Sequence, residues 1–137
     1  MSLRLRKPDL DVMVDLEIYA EQNLRQGAGY ALVDEDTKQV IATCGIMPYW
    51  AGMAEIWLLC DRDVERYGHA LLHACRWLVA RHQTADQLWR MQAHCQAEWE
   101  EANNFMRHLG FHIETRLPYF GVNHVDYNLW ALLKRWD

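Results

Sequence analysis

The sequence has no long apolar run. Ile56 to Cys60 and Leu129 to Leu133 are among its longest, far short of the roughly 20 residues a membrane-spanning helix needs. Its first residues carry Arg4, Arg6 and Lys7 and then acidic side chains, without the apolar core of a secretory leader, so we expect no leader and no membrane partner. Cysteine is sparse: Cys44, Cys60, Cys75 and Cys95 are widely spaced, form no C-x-x-C pair and sit in apolar periodic segments. Reduced core thiols, rather than disulfides or a zinc site, are the expectation, and a cytoplasmic location follows from it. Positive charge is also in short supply, with 14 Lys and Arg against 19 Asp and Glu and a formal net charge of -5. That sign argues against a nucleic-acid partner. No repeat, low-complexity tract or Ser/Gly/Pro linker interrupts the 137 residues, so we read residues 1–137 as a single domain with one core.

What the chain does contain is a regular alternation of periods. Leu3 to Arg6 reads as a short strand. After Pro8-Asp9, Met13, Leu16, Ala20 and Leu24 recur at helical spacing up to Gly27, which predicts an amphipathic helix. Tyr30–Val33 and Val40–Ile46 flank the polar turn Asp34-Glu35-Asp36-Thr37-Lys38 and predict a hairpin. Pro48 and Gly52 read as a loop. Glu55-Ile56-Trp57-Leu58-Leu59-Cys60 is nearly all apolar, as in a strand covered on both faces. A charged, Gly-containing stretch from Asp61 to Gly68 then leads into the helical stripe Leu71, Leu72, Cys75, Leu78 and Val79. Leu88 to Cys95 predicts a strand, Ala102, Phe105, Met106 and Leu109 a helix stopped by Gly110, and Tyr127 to Leu133 a final strand, with a further one around His112 to Leu117. The expected class is α/β, a mixed and mostly antiparallel sheet with helices on both faces.

Two segments carry a family resemblance. Ala102-Asn103-Asn104-Phe105-Met106-Arg107-His108-Leu109-Gly110-Phe111 resembles the helix and Leu-Gly-Phe turn of GNAT acetyltransferases. Glu65-Arg66-Tyr67-Gly68-His69-Ala70 is similar to that family's Q/R-x-x-G-x-G/A loop, where backbone N–H groups at a helix N-terminus receive the pyrophosphate of coenzyme A. Gly68 and Ala70 fit; Glu65 stands where Gln or Arg is usual, with Arg62 and Arg66 to offset its charge. Within the family, the layout of Glu55 to Leu59, the long helix, Leu88-Trp89 and the Leu-Gly-Phe turn resembles the small GNAT-like proteins of tailed bacteriophages, the internal virion protein A type.

The resemblance implies transfer of an acetyl group from acetyl-CoA to an amine, with no metal. It assigns Arg66, Tyr67, Gly68, His69, Ala70 and Asn104 to the cofactor, and places the acyl carbonyl beside the backbone of Leu58, Leu59 and Cys60. Glu55 is the implied general base, its pKa expected to rise through burial beside Trp57 and Tyr49. The family's acid, a Tyr, is replaced by Met106, which has no proton to give. Tyr67, His69, water or, more weakly, Cys95 would have to serve, and we take Tyr67 as the candidate. The family's Asn three residues before Ala102 is Trp99. His69 and His73 share a helical face, but no third metal ligand is placed by sequence. Asn103 and Asn104 are candidates to meet the pantetheine, and Trp50, Tyr119 and Phe120 to line an acceptor pocket or an interface. Two readings stay open: an acetyltransferase acting in the cytoplasm, or a GNAT-fold phage component without turnover, working in the host cytoplasm or virion and contacting virion proteins or a second copy of itself.

Overall fold

The computed structural model describes residues 29–61 and 64–136. The strand and helix expected before Gly27, and Arg62, lie outside them. Six strands form one sheet: β1 (Gly29–Val33), β2 (Val40–Trp50), β3 (Met53–Cys60), β4 (Arg90–Gln96), β5 (His112–Leu117) and β6 (Tyr127–Leu133), in the order β1-β2-β3-β4-β6-β5. Every neighbouring pair is antiparallel except β3 with β4. Two helices, α1 (Gly68–Ala85) and α2 (Glu100–His108), follow β3 and β4. This is the mixed, mostly antiparallel α/β architecture expected.

The β1–β2 turn closes because Asp34 Oδ1 accepts from the backbone N–H of Asp36 and of Thr37, at 2.9 and 3.2 Å, a side-chain mimic of a backbone turn. The loop expected at Pro48 is not there: β2 runs through Pro48 to Trp50 and turns at Ala51-Gly52 into β3. Among the described residues β1 reaches no further than Gly45. At Pro48 β2 is therefore, among the described residues, an edge on that side, where a missing N–H is tolerated, and a bulge between Pro48 and Trp50 absorbs the rest. Gly52 is required by geometry. Its φ is +87°, and a Cβ there would stand 2.6 Å from the Trp89 ring.

Both described helices cover one face of the sheet. Leu71, Cys75, Leu78 and Val79 of α1 are buried against Ala42, Cys44, Ile46, Ala54 and Cys60. The register Ala54↔Met91 and Ala93↔Trp130 carries that face across to β6, where the Trp130 indole meets α2. On the opposite face Ile41, Met53, Trp57 and Leu59 are buried as well. The Leu109-Gly110-Phe111 turn is a Schellman terminator. The Phe111 N–H donates to Met106 O at 3.1 Å and the Gly110 N–H to Arg107 O at 3.0 Å, with Gly110 at φ +93°. Met106 and Phe111 supply the apolar contact of that motif inside the core.

Asn103, expected near the pantetheine, is instead a buried connector. Its Nδ2 donates to the carbonyls of Gln96 (3.0 Å) and Trp99 (2.7 Å), and its Oδ1 accepts from Asn128 Nδ2 (3.0 Å) and Trp130 Nε1 (2.8 Å). All four of its bonding positions are filled, tying the end of β4 and the start of α2 to β6. Asn103→Ala should lower the unfolding free energy by about 3 kcal/mol, because it strands an indole N–H and two carbonyls in the core. Urea unfolding followed by tryptophan fluorescence measures this; a loss under about 1 kcal/mol would show that the network is dispensable.

Candidate active site

The parallel ladder between β3 and β4 is confined to Met53↔Arg90, Ala54↔Met91 and Glu55↔Gln92. Past that point β3 stays with β2, through Ile56↔Ile46 to Cys60↔Ala42, while β4 stays with β6, through Ala93↔Trp130 to Gln96↔Tyr127. The sheet therefore splits into a gap between two diverging strands. Leu58, Leu59 and Cys60 lie along one wall of it. A gap inside a sheet presents strand edges to which an extended, amide-bearing chain can add.

Glu55 stands at the vertex. Three donors, one from β2 and two from β4, converge on its Oε1: Tyr49 Oη at 3.0 Å, Gln92 Nε2 at 3.0 Å and His94 Nδ1 at 3.1 Å. Alternation explains the meeting. Gln92 and His94 are two apart on β4 and share a face, and Gln92 is in register with Glu55. The Glu55 and His94 side chains are 15% and 17% exposed, nearly removed from water. Burial alone pushes the Glu55 pKa up, but the hydrogen bond and charge of His94, with the bonds from Gln92 and Tyr49, outweigh it and hold the carboxyl below its ordinary value. The expected upward shift is thus reversed. Phe120 stacks on His94 with ring centroids 4.7 Å apart and planes 9° from parallel, which brings one of the three expected acceptor-side aromatics to this spot. Trp50 and Tyr119 are exposed, with Trp50 beside Tyr49.

A second feature lies between the N-terminus of α1 and α2. Arg66, Tyr67, Gly68, His69, Ala70 and Asn104, the residues the resemblance assigned to the cofactor, all line one groove of about 800 Å³, together with Glu65, Glu101 and Phe105. A 3-10 turn, Val64–Tyr67, leads into α1, and its cap residue Tyr67 makes no side-chain cap bond. Gly68, His69 and Ala70 thus stand without a side-chain cap at the positive end of an 18-residue helix. A Cβ on Gly68 would meet nothing within 4 Å.

The proton donors expected for a leaving thiolate are not gathered at the vertex. The Tyr67 hydroxyl donates to Asp34 Oδ2 at 2.7 Å, on the β1–β2 turn. Met106 is buried in the core. Burial lifts the Cys95 thiol to about 12, too weak an acid to protonate a thiolate. His69 is exposed at the groove. His94, absent from the sequence reading, is the titratable group the fold does bring to Glu55. A signal for it existed: Arg90, Gln92, His94 and Gln96 alternate with Met91, Ala93 and Cys95, an entire polar face on an interior strand.

The Glu55 environment has a measurable sign. A carboxyl whose folded pKa lies below its unfolded value stabilises the fold above the unfolded value, 4.5, and the contribution disappears as pH falls through the lower folded value. The stability difference between wild type and Glu55→Gln should therefore move in favour of wild type as pH rises through the lower folded value toward 4.5. Chemical denaturation across that range tests this; a difference independent of pH would contradict the donor arrangement.

No protein-family model matches the sequence, and no curated protein does. Solved structures do match. A ribosomal-protein-alanine N-acetyltransferase from Brucella melitensis superposes with a TM-score of 0.71 at 16% identity over 88% of this chain and 80% of its own. A point mutant of the spermidine N-acetyltransferase SpeG from Vibrio cholerae gives 0.69 at 18% over 85% and 72%, and a GNAT-family acetyltransferase from Bacillus anthracis 0.67 at 16% over 85% and 71%. At these identities the likeness is one of fold: the chain has the fold of the GNAT acetyltransferases.

Proposed function

We propose that this protein transfers an acetyl group from acetyl-CoA to an amine. What supports this reading is three features together: a helix N-terminus at Gly68 without a side-chain cap, a gap between β3 and β4, and a half-buried, multiply bonded carboxylate at the vertex of that gap. In this reading the pyrophosphate takes N–H groups between Gly68 and Ala70, with Arg66 and His69 beside it and Asn104 across the groove. The thioester carbonyl lies by the backbone of Leu58, Leu59 and Cys60, where N–H donors favour the developing oxyanion. Glu55, charged and nearly dry, attracts the ammonium of the acceptor to the thioester carbon. Tyr67 serves as a wall of the groove rather than as the acid, since its proton is committed to Asp34.

A second reading rests on Met106 and Glu65. The family's acid position is occupied by a buried thioether, and a carboxylate stands in the phosphate loop. These favour a phage structural or assembly protein that keeps the fold without turnover, with virion proteins or a second copy as partner.

Binding of acetyl-CoA separates the two. At a hundredfold excess over its dissociation constant, a ligand specific to the native state adds about 2.7 kcal/mol of stability, so the melting temperature of an enzyme should rise by several degrees. Gly68→Glu places a carboxylate in open groove space and should abolish the rise while leaving the unliganded protein folded. Transfer is then assayed with 2-phenylethylamine, spermidine and a peptide with N-terminal alanine, the last two being acceptors named for the neighbours above. No shift with saturating acetyl-CoA would remove the acetyltransferase reading and leave the fold.

A further inference from the structure

Of the three donors on Glu55 Oε1, only His94 carries a second ring nitrogen with a lone pair to receive a proton. Donors on Oε1 favour the ionised carboxyl, so Glu55 holds an ammonium as its counter-ion more readily than it keeps the ammonium's proton. The ring beside it is differently placed. With the Nδ1 proton directed at Glu55, neutral His94 turns the Nε2 lone pair away from the carboxylate, and among the described residues no hydrogen bond engages it. Stacking on Phe120 fixes the ring plane.

We propose that His94 Nε2, and not Glu55, receives the proton of the incoming ammonium, and that Glu55 is a positioning residue that holds the imidazole in its Nδ1–H tautomer. This rests on the acetyl-transfer reading above. The balance closes without a dedicated acid. One N–H proton of the ammonium passes to Nε2, and the freed lone pair forms the C–N bond at the thioester carbon. The C–S bond breaks with its electron pair on sulfur. A second proton, made acidic on the now positively charged nitrogen, goes to the thiolate directly or through water, yielding amide and thiol. The imidazolium then returns its proton to solvent. The missing hydroxyl at Met106 is no obstacle to this route.

Glu55 of β3 is the charged group that touches His94 directly, and Tyr49 of β2 reaches it through Glu55. Arg90, two positions beyond Gln92 on the same row, donates to Gln92 Oε1 at 3.2 Å and is paired with Glu114 of β5. Leu129 of β6, opposite His94, and Phe120 are uncharged.

Two measurements test the proposal. Nitrogen-15 NMR of the imidazoles, which needs no turnover, should find His94 as the Nδ1–H tautomer, and Glu55→Gln should shift the tautomer balance toward Nε2–H. The Nε2–H tautomer would overturn the proposal. In the transfer assay with the three acceptors named above, His94→Asn retains a donor near Nδ1 but no base. It should lower kcat/KM for the amine on the order of 100-fold, flatten the acid limb of the pH profile and leave the melting shift with acetyl-CoA intact. His94→Ala should regain activity with added imidazole. A His94→Asn variant within about threefold of wild type would return the base to another group and leave the acetyltransferase reading standing. Wild type that transfers to none of the three acceptors and gains no stability from acetyl-CoA would end that reading and the proposal together.

Discussion

The constraint on which the rest depends is that β3 and β4 stop pairing after three residues. Each strand has a better-filled side: β3 is laddered to β2 and β4 to β6 along their lengths. The right-handed twist of a sheet then carries the two halves apart once the parallel contact ends. Continuing that ladder would close the gap, bury the vertex and leave no space for a ligand. Asn103 opposes closure from one side by anchoring the Gln96 carbonyl and the first turn of α2 to β6. The α1 stripe on Ala42, Cys44 and Ile46 opposes it from the other. The fold's stability and its opening come from the same contacts.

Much of this was legible because local and tertiary demands agree. The helical stripes of α1 and α2, the alternation in β2 and β6 and the Gly110 stop each reflect a single dominant factor, burial of one face or a left-handed backbone. The loop residues Arg66 to Ala70 and Asn104 were legible as a set only through family likeness, and they do share one groove. Pro48 misled because its breaking of a strand depends on whether a neighbour needs its N–H, which is a tertiary fact. Asn103 misled for a related reason: a short amide on a helix looks like surface until the Trp130 indole is found against it.

Glu55 illustrates how two terms of opposite sign are ranked. Burial is readable from apolar neighbours in sequence, and it raises a carboxyl pKa; the donors that lower it come from positions 6, 37 and 39 residues away. Sequence therefore shows the cost of burying the charge and conceals the compensation. Hydrogen bonds to an ionised oxygen in a weakly solvated site are about twice as strong as neutral ones, and three of them exceed the desolvation penalty here. The polar row on β4 exists to supply two of those three.

That compensation bears on whether the vertex is a remnant or a working site. A buried ionised cluster is weak at stabilising a fold, because apolar residues of similar volume commonly do as well or better. Here the core already closes without it: Trp130, Ile41, Leu59 and Met91 are fully buried, and the Asn103 network joins the strands and α2 separately. Glu55, Gln92 and His94 thus occupy an interior strand pair where apolar side chains of similar volume would serve stability as well. Met106, by contrast, contributes to the core in which it is buried, so its departure from the family pattern has a packing explanation independent of chemistry. The two departures from an ordinary interior point in different directions, and the polar vertex is the one for which packing supplies no reason.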